Sequence, residues 1–239
     1  MTGMNMLEVR ALHARYGDSQ ALFGIDIDVP AGGGVALLGR NGAGKSTLMK
    51  SLLNAGPTAT GEIRLDGRSL EGLSTEARAR LGLALVPEDR RIFTTLSVRQ
   101  NLELAWHAAG KARQTMSVEQ ICTLFPMLTG LLERLGYQLS GGQQQLVAVA
   151  RGLMASPVLL LLDEPAEGLA PKVAQDLARE VRAARDKLGL SVLVAEQNIA
   201  YARQCTEYVY LLDSGTLVFA GDWAAFDARP ELKTRYLAV

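Results

Sequence analysis

Apolar and polar residues alternate in two early stretches, Leu7-Glu8-Val9-Arg10-Ala11-Leu12 and Ile25-Asp26-Ile27-Asp28-Val29. A period of two puts one face of a pleated strand in the core, so both stretches predict antiparallel strands. Pro30 and the run Gly32-Gly33-Gly34 predict a turn after the second. Ile63-Arg64-Leu65-Asp66-Gly67-Arg68 adds a hairpin, because Asp-Gly accepts the positive φ angles of a two-residue turn. Short unbroken apolar runs predict strands inside a sheet: Val35-Ala36-Leu37-Leu38, Leu83-Ala84-Leu85-Val86, Val158 to Leu162, and Val192-Leu193-Val194-Ala195. The run from Val158 is apolar on both faces, as a central parallel strand must be.

Elsewhere the period lengthens to that of a helix. Leu48, Met49, Leu52 and Leu53 mark one stripe, and Leu146, Val149, Ala150 and Leu153 another. Val173, Leu177, Val181, Ala184 and Leu188 mark a third, opened by Pro171 and closed by Gly189. From Val98 to about Ser140 the pattern is helical without strand signals (Leu102, Leu104 and Ala105, then Val118, Ile121, Cys122 and Phe125). This predicts a helical subdomain, residues 96–154, inserted between strands of the core. The tail, Val209 to Phe219 around Asp213-Ser214-Gly215, predicts a last hairpin before a terminal helix. The expected fold class is α/β. One domain spans 1–239, with its core in 1–95 and 155–239 and an N-terminal antiparallel β-subdomain.

The loops at strand ends carry the candidate chemistry. The strand ending at Leu38 runs into Gly39-Arg40-Asn41-Gly42-Ala43-Gly44-Lys45-Ser46-Thr47 and then a helix, matching G-x-x-x-x-G-K-[ST] at every fixed position. Strand, glycine loop and helix in that order are the context a phosphate-binding loop requires. The glycines let successive N–H groups converge on one anion, and the helix N-terminus adds partial positive charge. Lys45 would reach the β- and γ-phosphates, and Ser46 would ligate Mg2+. The chain is expected to bind a nucleoside triphosphate.

Two further strands end in polar loops, Asp163-Glu164-Pro165 and Glu196-Gln197-Asn198, where ligands of open α/β sheets bind. Downstream of a phosphate loop, Asp163 would hold Mg2+, and Glu164 would orient or deprotonate the water attacking the γ-phosphate. Leu139-Ser140-Gly141-Gly142-Gln143 opens a helix with Ser140 at the N-cap, which reads either as a second anion site or as a plain capped start. Tyr16, expected in the first loop, is either an aromatic that stacks on a base or an ordinary edge tyrosine.

Composition closes off other classes. With 25 basic against 25 acidic residues in 239, no basic surface argues for nucleic acid. No apolar run could span a bilayer, and residues 1–10 lack the basic stretch and apolar core of a secretion signal. Cys122, Cys205, His13 and His107 stand apart, which predicts two reduced, buried thiols in a cytoplasmic protein and no metal cluster.

Together the motifs resemble the ATP-binding subunit of ABC transporters along nearly the whole chain. Walker A is Gly39 to Thr47, the signature Leu139 to Gln143, and Walker B Leu159 to Asp163, followed by Glu164. The resemblance implies a P-loop NTPase with a RecA-like core sheet and an inserted helical signature subdomain, using ATP and Mg2+. Walker A residues Gly39, Arg40, Asn41, Gly42, Ala43, Gly44, Lys45, Ser46 and Thr47 would cradle ATP, Tyr16 would stack on adenine, Glu88 would lie near the nucleotide, and Gln197 would face the γ-phosphate. Ser140, Gly141, Gly142 and Gln143 would contact ATP held by a second ATPase chain in a head-to-tail dimer.

Three positions depart from the general pattern of that family. Glu88 stands where a glutamine is usual, Gln197 where a histidine is usual, and Ala170 where an aspartate is usual. Pro87-Glu88-x-Arg90, Gly168-Leu169-Ala170-Pro171 and Glu196-Gln197-Asn198 look like the LivF-type subunit of branched-chain (hydrophobic) amino acid importers. Asp89 and Gln143 vary from that form, so a related urea or amide importer stays open. The implied partners are membrane permeases, a second ATPase chain in a heterodimer or, as the alternative, a homodimer, and indirectly a secreted or periplasmic solute-binding protein. The chain itself would be cytoplasmic, peripheral on the inner face of the membrane, and would not bind nucleic acid. A soluble ABC-type ATPase acting on DNA or ribosomes would carry tandem domains, a long coiled-coil insertion or basic extensions. A small-metabolite kinase would have lid arginines and no signature helix.

Overall fold

The computed structural model describes residues 4–109 and 115–237. Residues 1–3, 110–114 and 238–239 of the expected single domain, the middle group within its expected helical part, lie outside the described residues.

The alternating stretches form a four-stranded antiparallel sheet in the order β2-β1-β4-β5. Strands β1 (Asn5–Tyr16) and β2 (Ser19–Pro30) pair along their lengths, and β4 (Thr58–Leu65) pairs with the other edge of β1. The short β5 (Arg68–Ser69) follows the Asp66-Gly67 turn, whose φ angles of 50° and 72° are the positive pair that Asp-Gly tolerates.

The unbroken apolar runs form a six-stranded sheet in the order β10-β9-β3-β8-β7-β6. Its parallel strands are β3 (Gly34–Leu38), β6 (Leu83–Val86), β7 (Leu159–Asp163), β8 (Ser191–Glu196) and β9 (Tyr208–Asp213), and β10 (Thr216–Asp222) returns antiparallel to β9. Every residue of β3, β7 and β8 is buried, which is why these strands read as apolar without alternation. The order matters for function. Because β8 lies between β3 and β7, the loops after Leu38, Asp163 and Glu196 emerge side by side.

Helix α1 (Lys45–Leu53) follows the glycine loop and buries Leu48, Met49 and Leu52 under the first sheet. Helices α2 (Thr75–Arg80), α3 (Val98–Ala109), α4 (Val118–Leu124) and α5 (Gly141–Leu153) come next, the last three falling between β6 and β7. They share one apolar cluster with α6 (Pro171–Leu188), built on Leu102, Ile121, Phe125, Leu146, Val149 and Val181. The remaining helices are α7 (Ile199–Cys205), α8 (Trp223–Asp227) and α9 (Pro230–Tyr236).

The structure corrects several expectations. The buried face of α6 is Ala174, Leu177, Ala178, Val181 and Ala184, while Val173 and Leu188 are exposed. Small residues let α6 pack closely and turn the branched Val173 outward, toward the start of α5. Leu104 is exposed as well. Cys205 is buried but Cys122 only half-buried. Two short helices end the tail in place of one. Tyr16 is the last residue of β1, opposite Ser19, and not a loop residue.

Gly34 belongs to β3 and not to a turn. A Cβ there would sit 2.2 Å from Arg185 Nη1 and 2.3 Å from the Cys205 carbonyl oxygen. That arginine is buried, donating to the Cys205 carbonyl and to Glu207, whose carboxylate also accepts the Gly34 N–H at 3.0 Å. Gly34→Ala should therefore overpack the start of the strand that carries the glycine loop. Urea unfolding should show a loss of about 1–3 kcal/mol; an unchanged midpoint would mean that both Arg185 and the Cys205 backbone yield freely.

Candidate functional site

The glycine loop turns at Gly42 (φ 81°) and Gly44 (φ 109°), and Gly44 caps α1 without any side-chain hydrogen bond. The N–H groups of the first helical turn are thus left pointing out, as an anion-binding terminus requires. Lys45 extends back across the loop. Its ammonium donates to the Gly39 carbonyl at 2.7 Å and the Arg40 carbonyl at 3.0 Å, and pairs with Glu164 Oε1 at 3.0 Å. Those three contacts use its three N–H bonds. Both side chains are buried, at 2% and 7% exposure.

Glu164 is held from its other side as well. Gln197 Nε2 donates to Glu164 Oε2 at 3.2 Å and to Asn41 Oδ1 at 2.6 Å. Glu164 has φ 46° and its N–H is tied to the Ala195 carbonyl at 2.9 Å. A non-glycine residue in that region is strained, and such strain collects at functional positions. One continuous network therefore joins residues from the ends of β3, β7 and β8.

Ser46 Oγ donates to Asp163 Oδ1 at 3.1 Å. Burial pushes the Asp163 carboxyl up to about 6; the Ser46 hydroxyl opposes this shift, and the carboxylates of Glu164 and Glu88 add to it. A hydroxyl and a carboxylate, both hard oxygen donors, fit Mg2+, which takes one or two protein ligands and completes its shell with phosphate and water. Among the described residues no group of three or more His, Cys, Asp or Glu could hold a metal by itself.

An open cleft of about 370 Å3 lies over the loop, lined by Gly42, Gly44, Lys45, Ser46, Thr47 and Glu164, with Gln20, Ala21 and Phe23 of β2 and the Ser214-Gly215 turn. Ala43 is buried behind it, and its carbonyl accepts the Gly215 N–H at 2.9 Å. Tyr16 is half-exposed at the end of β1 and is not part of that lining; the exposed Phe23 is. Nothing in the spacing singled out Phe23, whose only signal is an aromatic on the polar face of an alternating strand.

Ser140, Gly141, Gly142 and Gln143 do not line the cleft either. Ser140 caps α5: its hydroxyl accepts the Gln143 N–H at 3.4 Å, while Gln143 Oε1 accepts the Ser140 N–H at 3.0 Å. This reciprocal capping box, legible as Ser-x-x-Gln, gives Gln143 a structural partner within its own chain. Glu88 is exposed just beyond β6, near enough to Asp163 to act on it electrostatically.

Sequence reasoning missed Glu196 as a separate actor. Buried at the end of β8, it accepts the Ala166 N–H at 2.8 Å, the Gln197 N–H at 3.1 Å and the Asn198 N–H at 3.0 Å. One carboxylate thus fixes the loop after Asp163 to the loop carrying Gln197. Burial nevertheless pushes its carboxyl up to about 7, against these hydrogen bonds, with Glu164 nearby adding to the rise.

Comparison with known proteins identifies the family and the fold. The sequence model of the family described as ABC transporter matches residues 22–167. The high-affinity branched-chain amino acid transport ATP-binding protein BraG of Pseudomonas aeruginosa is 37% identical over 97% of this chain and 99% of its own. The probable branched-chain amino acid transport ATP-binding protein LivF of Archaeoglobus fulgidus is 34% identical over 90% and 92%. Among solved structures, a nucleotide-free ATP-binding cassette superposes with a TM-score of 0.81 at 21% identity, covering 95% of this chain and 96% of that one. A dimeric bacterial ABC transporter cassette gives 0.78 at 26% identity, covering 91% and 98%.

Lys45→Ala should weaken binding of a fluorescent ATP analogue by about 30-fold or more, because a charge-assisted contact worth ~2 kcal/mol or more is lost. The substitution also strands the Glu164 carboxylate, so stability should fall. The Lys45→Ala/Glu164→Gln double variant should regain stability without regaining binding, and unchanged affinity in either would refute the assignment. A second expectation concerns pH. The Glu196 carboxyl is raised in the folded state, so its contribution to stability is complete below about 4.5 and is lost as pH rises toward about 7. Melting temperatures of wild type and Glu196→Gln should therefore converge or cross over that window; a constant difference would contradict the assignment.

Proposed function

Because the chain belongs to the ABC transporter family, and is thereby an ATP-binding and ATP-hydrolysing subunit, we propose that it powers uptake of branched-chain or other hydrophobic amino acids through membrane permeases. The observation that carries the reading is the network Lys45–Glu164–Gln197–Asn41, built on the buried Lys45–Glu164 pair. It brings an ammonium, a carboxylate and a neutral hydrogen-bond donor within about one contact of each other, which supports a phosphate-binding role for the first.

The chemistry follows from what these groups can do. The triphosphate takes the loop amides and the Lys45 ammonium, which then turns from Glu164 toward the β- and γ-oxygens. Freed of its counter-ion, Glu164 faces the attacking water and accepts its proton as oxygen bonds to the γ-phosphorus and the bond to ADP breaks. Gln197 can donate to a γ-phosphate oxygen but carries no charge and relays no proton, so it senses the phosphate and does not act as acid or base. Mg2+ held by Ser46 and Asp163 would neutralise charge on the phosphate oxygens. Tyr16 and Phe23 offer apolar faces for the adenine.

Ser140 to Gln143 lie apart from this chain's own cleft, which supports a reading in which they complete the site of a second ATPase chain. The names of the two relatives, both branched-chain amino acid transport proteins, support that solute class. A groove of about 640 Å3 between α2, β6, α3 and α5 offers a seat for a permease segment. Among the described residues no helix is long and apolar enough to cross a membrane, so attachment would run through that groove. In this reading the chain is cytoplasmic and pairs with a different ATPase.

Glu164→Gln should retain ATP binding yet turn over roughly 10²-fold or more slowly in the assembled transporter, because general-base work is lost. Wild-type turnover in that variant would move the role to another group. Turnover per site should also rise when wild-type chain is mixed with its neighbouring ATPase; full activity of the isolated chain, without gain on mixing, would refute the unequal pair.

A further inference from the structure

The segment between β6 and α3 contains two consecutive left-handed residues that the chemistry above does not use. Arg90 and Arg91 have φ angles of 59° and 48°, a region that non-glycine residues keep only where their surroundings hold them. The holder is Arg151, near the end of α5. Its Nη1 donates to the Arg91 carbonyl at 2.6 Å and its Nη2 to the Arg90 carbonyl at 3.1 Å, with the guanidinium 5.8 Å from the centre of the Phe93 ring.

Arg90 reaches back in the opposite direction. Its Nε donates to Gln145 Oε1 at 3.2 Å, its Nη1 to Gln144 Oε1 at 3.4 Å, and its Nη2 to the Glu167 carbonyl at 3.5 Å. The guanidinium lies against the first turn of α5, where a Cβ on Gly141 would be 3.1 Å from Nη1. Each arginine thus fixes the element from which the other comes. Only a planar fork can donate in these three directions; a lysine ammonium at the same place keeps the charge but not the span.

The two ends of this arrangement face different things. Pro87, Arg91, Phe93 and Arg151 line the large groove, whereas Gly141, Gln144 and Gln145 belong to the helix that begins at the signature. We propose that Arg90 and Arg151 form a reciprocal clasp that transmits occupancy of the groove to the N-terminus of α5, making Arg90 a positioning residue for ATP turnover. The proposal rests on the reading that a permease segment fills the groove and that Ser140 to Gly142 act on a second chain's ATP. A separate backbone tether, Gly136 N–H to the Leu96 carbonyl and Tyr137 N–H to the Thr94 carbonyl, both at 2.9 Å, keeps the two segments attached without Arg90. Removing Arg90 should therefore change alignment more than stability.

Two measurements on Arg90→Ala and Arg90→Lys test the clasp. On the full chain alone, hydrogen exchange at the amides of Gly141 to Gln145 should accelerate in both variants, with melting temperature little changed. In the complex assembled with its ATPase partner and permeases, both should lower kcat about tenfold while KM for ATP stays within about twofold. Unchanged exchange overturns the clasp whatever the permeases do. So does full turnover in either variant, or a rise in KM that matches the loss of kcat. If instead wild-type turnover is indifferent to the permeases, the reading beneath the proposal fails while the exchange result still judges the clasp.

Discussion

A lysine ammonium and a glutamate carboxylate face each other 3.0 Å apart, almost wholly removed from water, and much of the chain's arrangement follows from holding them there. Each ion loses several kcal/mol of hydration on burial, which a single contact does not return. The structure meets this by satisfying what remains. Two carbonyls of the glycine loop take the other ammonium protons, and the Gln197 amide takes the second carboxylate oxygen. Those partners come from three loops, and three loops meet only because β8 lies between β3 and β7 in a parallel sheet. Close-packing demands such as Gly34 beneath Arg185 keep those strands in register with the layer behind them.

A pair of this kind is costly to break by deleting one member and cheap to break by offering a substitute. A triphosphate is such a substitute for Glu164, bringing negative charge to the same ammonium. In the proposed mechanism, binding then releases the carboxylate where the attacking water would lose its proton. Ground-state stability and catalytic readiness are in this account two states of one contact. In that mechanism the strained backbone of Glu164, and Glu196 bridging its loop to that of Gln197, would keep the carboxylate in place while its partner changes.

What the sequence revealed divides along physical lines. Features made by neighbours in the chain were legible: the glycine loop, the Asp66-Gly67 hairpin, the buried runs of β3, β7 and β8, and the acidic pair after β7. Features made through space were not. The burial of Ala174 and Ala178 in place of Val173 and Leu188 depends on how closely α6 approaches its neighbours, which periodicity does not encode. Phe23 reaches the cleft only because the antiparallel sheet folds beside the glycine loop. Glu196 read as part of a motif, yet its work is done on Ala166, thirty residues away. Ser140 was legible as an N-cap, and Gln143 three residues on completes the capping box with it.

The substitution of one anion for another at Lys45 can be measured directly. Equilibrium affinity for ATP should be tighter in Glu164→Gln than in wild type, by about tenfold for each ~1.4 kcal/mol the buried pair holds, because the nucleotide no longer has to displace a carboxylate. Equal or weaker affinity in Glu164→Gln, with the fold intact, would contradict the account.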